Sequence, residues 1–366
     1  MTDAYEPLML FTGRASHYLA SRIRDHLQPY PGLSGLKLCE PKVIGFANEN
    51  LKVKIDDSVR GADVFLVQTS ANSRHAPHGV NPDKVSPEEA QRLNLSENLM
   101  ELLITIDALR GASAGRITVV APYFPYVRSD KKDEPRVSIT ARLMGQLLQT
   151  AGADRILTVN LHALQIMGFM AIPCDQLDGN PLIAEYFRRN YASDEIGVLA
   201  TDAGGVKIGT VYAELLNVPL AVCDKRRWAD NEDPEIRAVI GIEEIRNRDI
   251  AIFDDEILTG GTMTRAIAAL RGKFDLPVSY VSCVHPVFSE GAIERILSTG
   301  VKRIVTTDTL PAPEANDHVH VVSVAKLLAA AIHNIHTNMS VTRIFREQDS
   351  LFEPEGQSAL FGPRKA

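Results

Sequence analysis

The sequence predicts an α/β protein of two similar halves, each a mainly parallel sheet flanked by helices. Three observations point there. Short apolar runs alternate with amphipathic segments along nearly the whole chain, the mark of βαβ units. The runs, such as ITVVA at 117–121 and IAIF at 250–253, lack polar alternation, as expected of strands buried on both faces. In both halves, loops rich in glycine or charge follow these runs directly, at the edge where open α/β sheets bind ligands. The chain has 366 residues, 45% hydrophobic and 23% charged, enough for two globular cores.

The first half is expected to span 1–167. It opens with a strand at 8–11, and Ser16 is placed to cap a helix that carries Leu19, Ile23 and Leu27 on one face. Strands at 42–46 and 51–55 flank the polar turn Ala47-Asn48-Glu49-Asn50, and DVFLVQ at 63–68 is a buried strand. Residues 71–97 read as a polar insertion whose His75 and His78 belong to a solvated loop. A helix at 98–110 and a strand at 117–121 lead to Pro122-Tyr123-Phe124-Pro125-Tyr126-Val127-Arg128-Ser129-Asp130-Lys131-Lys132-Asp133. A helix at 139–150 and a strand at 155–159 follow, and that strand delivers Asn160 and His162.

The second half, 168–345, repeats the rhythm. A strand at 197–200 ends in Thr201-Asp202-Ala203-Gly204-Gly205, and a helix runs on to Leu216. The strand at 219–223 is expected to end in a charged loop, Asp224-Lys225-Arg226-Arg227. The strand at 250–253 delivers Asp254 and Asp255, followed by the turn Thr259-Gly260-Gly261-Thr262 and a helix marked by Met263, Ile267 and Leu270. Strands at 278–284 and 303–307, helices at 292–297 and 324–336, and a polar tail at 346–366 complete the chain.

Composition narrows the function. A formal net charge of −7 argues against a nucleic-acid partner. No apolar run is long enough to span a bilayer, and the first residues lack a secretion-signal pattern, so a cytoplasmic protein with no membrane partner is expected. Four scattered cysteines, Cys39, Cys174, Cys223 and Cys283, read as small core residues of a reducing compartment.

The polar loops carry the chemistry. Glycines bring backbone N–H groups close to an anion, and a helix N-terminus adds partial positive charge, so Thr259 to Thr262 suits a phosphate. Asp254 and Asp255 are then placed for sugar hydroxyls or a metal ion. Asp202 and its glycines suit a diphosphate with magnesium. Lys225 and Arg227 supply fixed positive charge where diphosphoryl transfer builds up negative charge, and His162 is a candidate metal ligand. Each loop alone reads as an ordinary turn; four on one edge do not.

The string D-D-x-x-x-T-G-G-T resembles the phosphoribosyl diphosphate loop of the phosphoribosyltransferase superfamily. With NLMELLITIDALRGASAGRITVVAPYFPYVRSDKK, LTVNLHALQIMGF, DAGGVK, DKRR and VHPVFS, the chain from Leu8 to Phe345 is similar to the ribose-phosphate diphosphokinases. That resemblance implies two phosphoribosyltransferase-like domains and transfer of a diphosphoryl group from ATP to ribose 5-phosphate, releasing AMP. It implies that Thr259, Gly260, Gly261 and Thr262 hold the 5-phosphate and that Asp254 and Asp255 hold the ribose hydroxyls. Lys225 and Arg227 would stabilise the transferring group, Lys225 as the catalytic residue, and His162 and Asp202 would position Mg2+. Phe46, Asn48 and Asn50 of a neighbouring subunit would meet adenine, Arg128, Ser129 and Asp130 would contact ATP, and residues 131–136 would close over the site. The same resemblance implies a homo-oligomer, a hexamer built from dimers, with a regulatory phosphate site that includes Arg60, Ser340 and Thr342.

Five positions depart from the family pattern: Leu258 replaces an acid, Asn48 and Asn50 alter the adenine turn, Ser129 replaces a glutamine, and Asn160 replaces an aspartate. An active synthetase is the expected function. The alternatives are a catalytically weak regulatory subunit, which would form no AMP by itself, and a base-dependent phosphoribosyltransferase, against which the basic ATP segment and DKRR argue.

Overall fold

The computed structural model describes residues 6–48, 50–69, 95–202, 204–226, 235–311 and 317–345. The first apolar run forms β1 (Glu6–Thr12), and α1 (His17–Leu27) follows with Leu19, Ile23 and Leu27 fully buried. Strand β2 (Leu38–Cys39) pairs parallel with β1. Strands β3 (Lys42–Gly45) and β4 (Leu51–Lys54) instead make a separate antiparallel hairpin, with alternating half-buried and exposed positions along β4. Strand β5 (Ala62–Val67), buried at every position, lies on the other side of β1.

Helix α2 (Leu95–Gly111), β6 (Arg116–Ala121), α3 (Thr140–Ala151), β7 (Arg155–Val159) and β8 (Cys174–Leu177) complete a sheet ordered β2-β1-β5-β6-β7-β8, parallel throughout. The junction expected after 167 falls between β7 and β8, which pair in this one sheet. Helix α2 begins at Leu95, not Asn98, so the last three residues of the expected insertion are helical. No breaker precedes Asn98, and Glu97 suits the positive end of the helix dipole. Residues 70–94, with His75 and His78, lie outside the described residues, as does the tail 346–366.

The second half contributes α4 (Asn180–Asn190), β9 (Ile196–Ala200), α5 (Gly205–Leu216), β10 (Leu220–Arg226), β11 (Glu235–Ile240) and α6 (Ile242–Ile245). Then come β12 (Asp249–Glu256), α7 (Gly261–Phe274), β13 (Val278–His285), α8 (Ala292–Leu297), β14 (Arg303–Thr307), β15 (Val319–Val322) and α9 (Ala325–His336). The sheet order is β11-β10-β9-β12-β13-β14-β15, parallel except for the β10–β11 pair.

That pair corrects one expectation. Asp224, Lys225 and Arg226 are not a loop: they extend β10 and pair antiparallel with β11. A ladder partner later in the chain satisfies their backbone groups, which a local reading of a charged run misses.

The two halves pack through α9. Its sequence, AKLLAAAIHNIH, is apolar on almost every side, as suits a buried helix, and it lies against α1. One apolar cluster joins these helices to residues of both sheets, including Phe65 and Phe253. Polar contacts reinforce the seam. The Tyr18 hydroxyl donates to the Asp308 carbonyl at 2.8 Å, Arg22 pairs with the Asp308 carboxylate at 3.1 Å, and Tyr30 stacks on His333 with centroids 4.0 Å apart. Asp63, fully buried on β5, accepts from Arg116 Nε and Nη2 at 2.7 and 2.6 Å and lies 2.8 Å from Nδ1 of His336 on α9. All four cysteines are free, and among the described residues no helix is long and apolar enough to cross a membrane.

Candidate active site

The segments after β6 and β7 meet the ends of β12 and β13. Strand β12 carries Asp254, Asp255 and Glu256 at its C-terminal end. Opposite stand His162, just beyond β7, and Tyr123 and Arg128, beyond β6. His162 Nδ1 is hydrogen-bonded to Asp255 Oδ2. Arg128 Nε forms an ion pair with Glu256 Oε1, and the Tyr123 hydroxyl donates to Glu256 Oε2 at 3.0 Å. Buried His285, at the end of β13, lies 2.8 Å from the Asn160 carbonyl through Nε2 and 2.9 Å from Thr309 Oγ1 through Nδ1. A carbonyl only accepts, so Nε2 carries the hydrogen there.

These contacts divide the charge. The hydrogen bond from Asp255 lifts the His162 pKa, against the effect of partial burial. Burial pushes Asp255 up, but His162 outweighs it and holds the carboxylate below its usual range. Asp254 is pushed well up, first by burial and then by the neighbouring Asp255, so a second negative charge on the pair is disfavoured. His285 is held down by burial and stays neutral.

The T-G-G-T turn lies at the N-terminus of α7, as its sequence implied. Thr259 Oγ1 accepts from the Gly261 N–H at 3.3 Å, the Gly260 carbonyl accepts from the Thr264 N–H at 2.8 Å, and Arg295 holds the Thr259 carbonyl. Gly260 has φ +68°, and a Cβ there would stand 3.0 Å from Ile296 Cγ1. Gly260→Ala is therefore expected to lower stability by about 1–2 kcal/mol, read from the urea midpoint. A change below about 0.5 kcal/mol would mean that the turn relaxes at little cost.

Several expected site residues are engaged within the fold. Ser129 Oγ lies 3.0 Å from the Ser138 carbonyl and 3.2 Å from Thr140 Oγ1, and its own carbonyl accepts from the Ala141 N–H at 3.2 Å. It ties its loop to the start of α3. Asp130 is buried and accepts from Gln165 at 2.9 Å. Asp202 Oδ1 accepts from the Gly205 N–H at 2.9 Å, which braces the start of α5. In the β3–β4 turn, Asn48 Oδ1 accepts from the Asn50 N–H at 3.3 Å, and Phe46 is 51% exposed beside a groove that continues to Met100 and Ile104 of α2. Lys225 stands near the end of β10, while Arg227 lies outside the described residues. Residues 131–136 are exposed.

Arg60 is exposed and makes a backbone bridge to Ala114; Ser340 and Thr342 are exposed just beyond α9. Among the described residues, no three His, Cys, Asp or Glu side chains gather into a metal-holding group. Sequence reasoning did not single out Tyr123, Glu256 or His285 as site residues. The available signal was Glu256 itself, a charge set between Asp255 and Ile257 in an apolar stretch.

Comparison with known proteins shows the family. A family model described as the N-terminal domain of ribose phosphate pyrophosphokinase matches residues 8–152, and a phosphoribosyl transferase domain matches residues 177–274. The chain is 40% identical to a ribose-phosphate pyrophosphokinase of Caldanaerobacter subterraneus, over 92% of this chain and 98% of the relative. It is 37% identical to that of Deinococcus radiodurans, over 94% of this chain and 100% of the relative. Among solved structures, phosphoribosylpyrophosphate synthetase from Mycobacterium smegmatis superposes with a TM-score of 0.76 at 34% identity, covering 91% of this chain and 100% of that one. The fold is thus a pair of phosphoribosyltransferase-type domains.

Proposed function

The chain belongs to the ribose-phosphate pyrophosphokinase family, and we propose from that premise how its residues divide the work between ATP and ribose 5-phosphate. The reaction moves the diphosphoryl group of ATP to the anomeric hydroxyl of ribose 5-phosphate, releasing AMP and phosphoribosyl diphosphate. The relatives' names do not favour the regulatory-subunit alternative.

One observation carries the assignment of roles: the β12 acids that lead into the T-G-G-T turn meet His162 and Arg128 of the other half. In this reading the turn at Thr259–Thr262 holds the 5-phosphate with backbone donors at the start of α7. Asp254 and Asp255 meet the ribose hydroxyls, with Asp255 the carboxylate that His162 favours in its charged form. Arg128 meets ATP. Lys225 and Arg227 balance the charge that grows as the diphosphoryl group transfers, so positioning and electrostatics supply most of the rate.

Mg2+ is the proposed cofactor, with His162 and Asp202 to hold it. Asp202 offers the oxygen that magnesium prefers, and Mg2+ is generally held by one or two carboxylates together with substrate phosphates and water. His162 fits less closely, as a nitrogen donor whose Nδ1 is already held by Asp255. Bound there, the ion would neutralise diphosphate charge.

The remaining assignments are part of the same proposal. The Phe46, Asn48 and Asn50 turn meets adenine across a subunit boundary, in a homo-oligomer built from dimers whose mass in solution tests it. Arg60, Ser340 and Thr342 form its phosphate-responsive site, and Arg60→Ala should blunt the response. The four free cysteines agree with a cytosolic enzyme.

The deciding assay incubates the protein with magnesium, ribose 5-phosphate and each nucleoside triphosphate in turn, then quantifies AMP and phosphoribosyl diphosphate. No AMP from the purified chain with ATP would overturn the assignment. Leu258 is 44% exposed, so an aspartate there would stay solvated. Leu258→Asp is expected to lower the KM for ribose 5-phosphate about two- to tenfold, the effect of one added hydrogen bond. An unchanged KM would mean that the ribose does not reach this side chain.

A further inference from the structure

Glu256 has a chemistry that the roles above leave unused. It follows Asp255 directly on β12, yet only 4% of its surface is exposed, too little to meet a substrate. A buried carboxylate is costly unless its oxygens are paired, and both are: Oε1 with Arg128 Nε and Oε2 with the Tyr123 hydroxyl. Both partners come from the other half. Tyr123 is itself fixed, 8% exposed and edge-on to the ring of His285, with centroids 5.0 Å apart.

We propose that Glu256 is a positioning residue that holds the Arg128 guanidinium by Nε and presents its outer edge to the ATP polyphosphate. The proposal rests on the reading of Arg128 as an ATP contact. Arg128 is a long side chain, 56% exposed, with much rotamer freedom to lose when it grips a ligand. A carboxylate at Nε removes part of that freedom beforehand and leaves the two terminal amino groups for phosphate oxygens. The same contact ties the strand that holds the ribose to the segment that holds the nucleotide. The negative charge of Glu256 also weakens the pull of Arg128 on phosphate, so the two effects oppose and the sign of the result identifies the larger.

The test is steady-state kinetics of the full chain with ATP varied at saturating ribose 5-phosphate and magnesium. The variants are Glu256→Gln, Arg128→Ala and the two combined. Glutamine keeps an oxygen for either partner and drops the charge. Glu256→Gln is expected to raise the KM for ATP about fivefold, leave that for ribose 5-phosphate within about twofold, and add nothing in the Arg128→Ala background. Tyr123→Phe, which keeps both charges, should raise the ATP KM about twofold and gives a second readout if Glu256→Gln folds poorly.

A fall in the ATP KM of Glu256→Gln would overturn the proposal, since the carboxylate would then be a competitor of ATP. Equal rises in both KM values, an effect that persists without Arg128, or a Tyr123→Phe variant equal to the parent would overturn it too. If Arg128→Ala raises the ATP KM and Glu256→Gln leaves it unchanged, only the positioning role fails. If Arg128→Ala leaves it unchanged, the ATP contact fails and the positioning role with it.

Discussion

Lys225→Ala is expected to lower kcat by about 10²–10³, with the KM values of both substrates changed far less. Negative charge on the transferring diphosphoryl group is redistributed mainly in the transition state, so a cation aimed there contributes little to the ground-state complex. Lys225 stands in β10, where ladder pairing with Ile236 fixes the backbone at this position. The substitution therefore leaves the strand pairing intact, and circular dichroism and the denaturant midpoint should match the parent. A kcat within about threefold of the parent would remove Lys225 from the chemistry.

The second large effect lies far from the loops. Asp63→Asn should destabilise the protein by about 3–5 kcal/mol, the cost of removing one partner's charge from a buried ion pair. The Arg116 side chain is only 11% exposed and would keep its charge. Asp63→Leu combined with Arg116→Met should recover much of the loss, because the desolvation penalty disappears with both ions. Burial pushes the Asp63 pKa up, but the bonds from His336 and Arg116 outweigh it and hold it down. A depressed folded pKa gives stability above the unfolded value of about 3.9 and loses it as pH falls through the folded one. The gap between parent and Asp63→Asn should thus close in acid. A urea series at neutral and low pH checks both statements, and a loss below about 1 kcal/mol at neutral pH would refute the first.

Most of the architecture was legible because buried strands and amphipathic helices leave periodic patterns. Strand ends such as Val159 before His162, and the T-G-G-T turn before α7, fell where the pattern put them. What escaped depends on partners distant in sequence. The pairing of β10 with β11 turned a charged loop into a strand, and β8 joined the first sheet through a ladder to β7. The site divides the same way. Asp255 and His162 were each readable as strand-end residues, but their hydrogen bond to one another was not. Ser129 and Asp130 were expected as ATP contacts from the family resemblance, and their tertiary contacts to Thr140 and Gln165 were not legible in the sequence. Glu256 was hidden for the same reason, its partners being more than a hundred residues away in sequence.

The seat of α9 against α1 has a consequence for how the chain comes into being. The helix is synthesised about 300 residues after α1, yet it packs in one apolar cluster with Leu19 and Ile23 and supplies His336 to Asp63. Until it arrives, the early half has a bare apolar flank and an acid short of one partner. Such a half-made chain is open to aggregation, and native packing becomes available only once α9 has emerged. A core shared in this way predicts that the two lobes melt as one cooperative unit, which a single calorimetric transition would check.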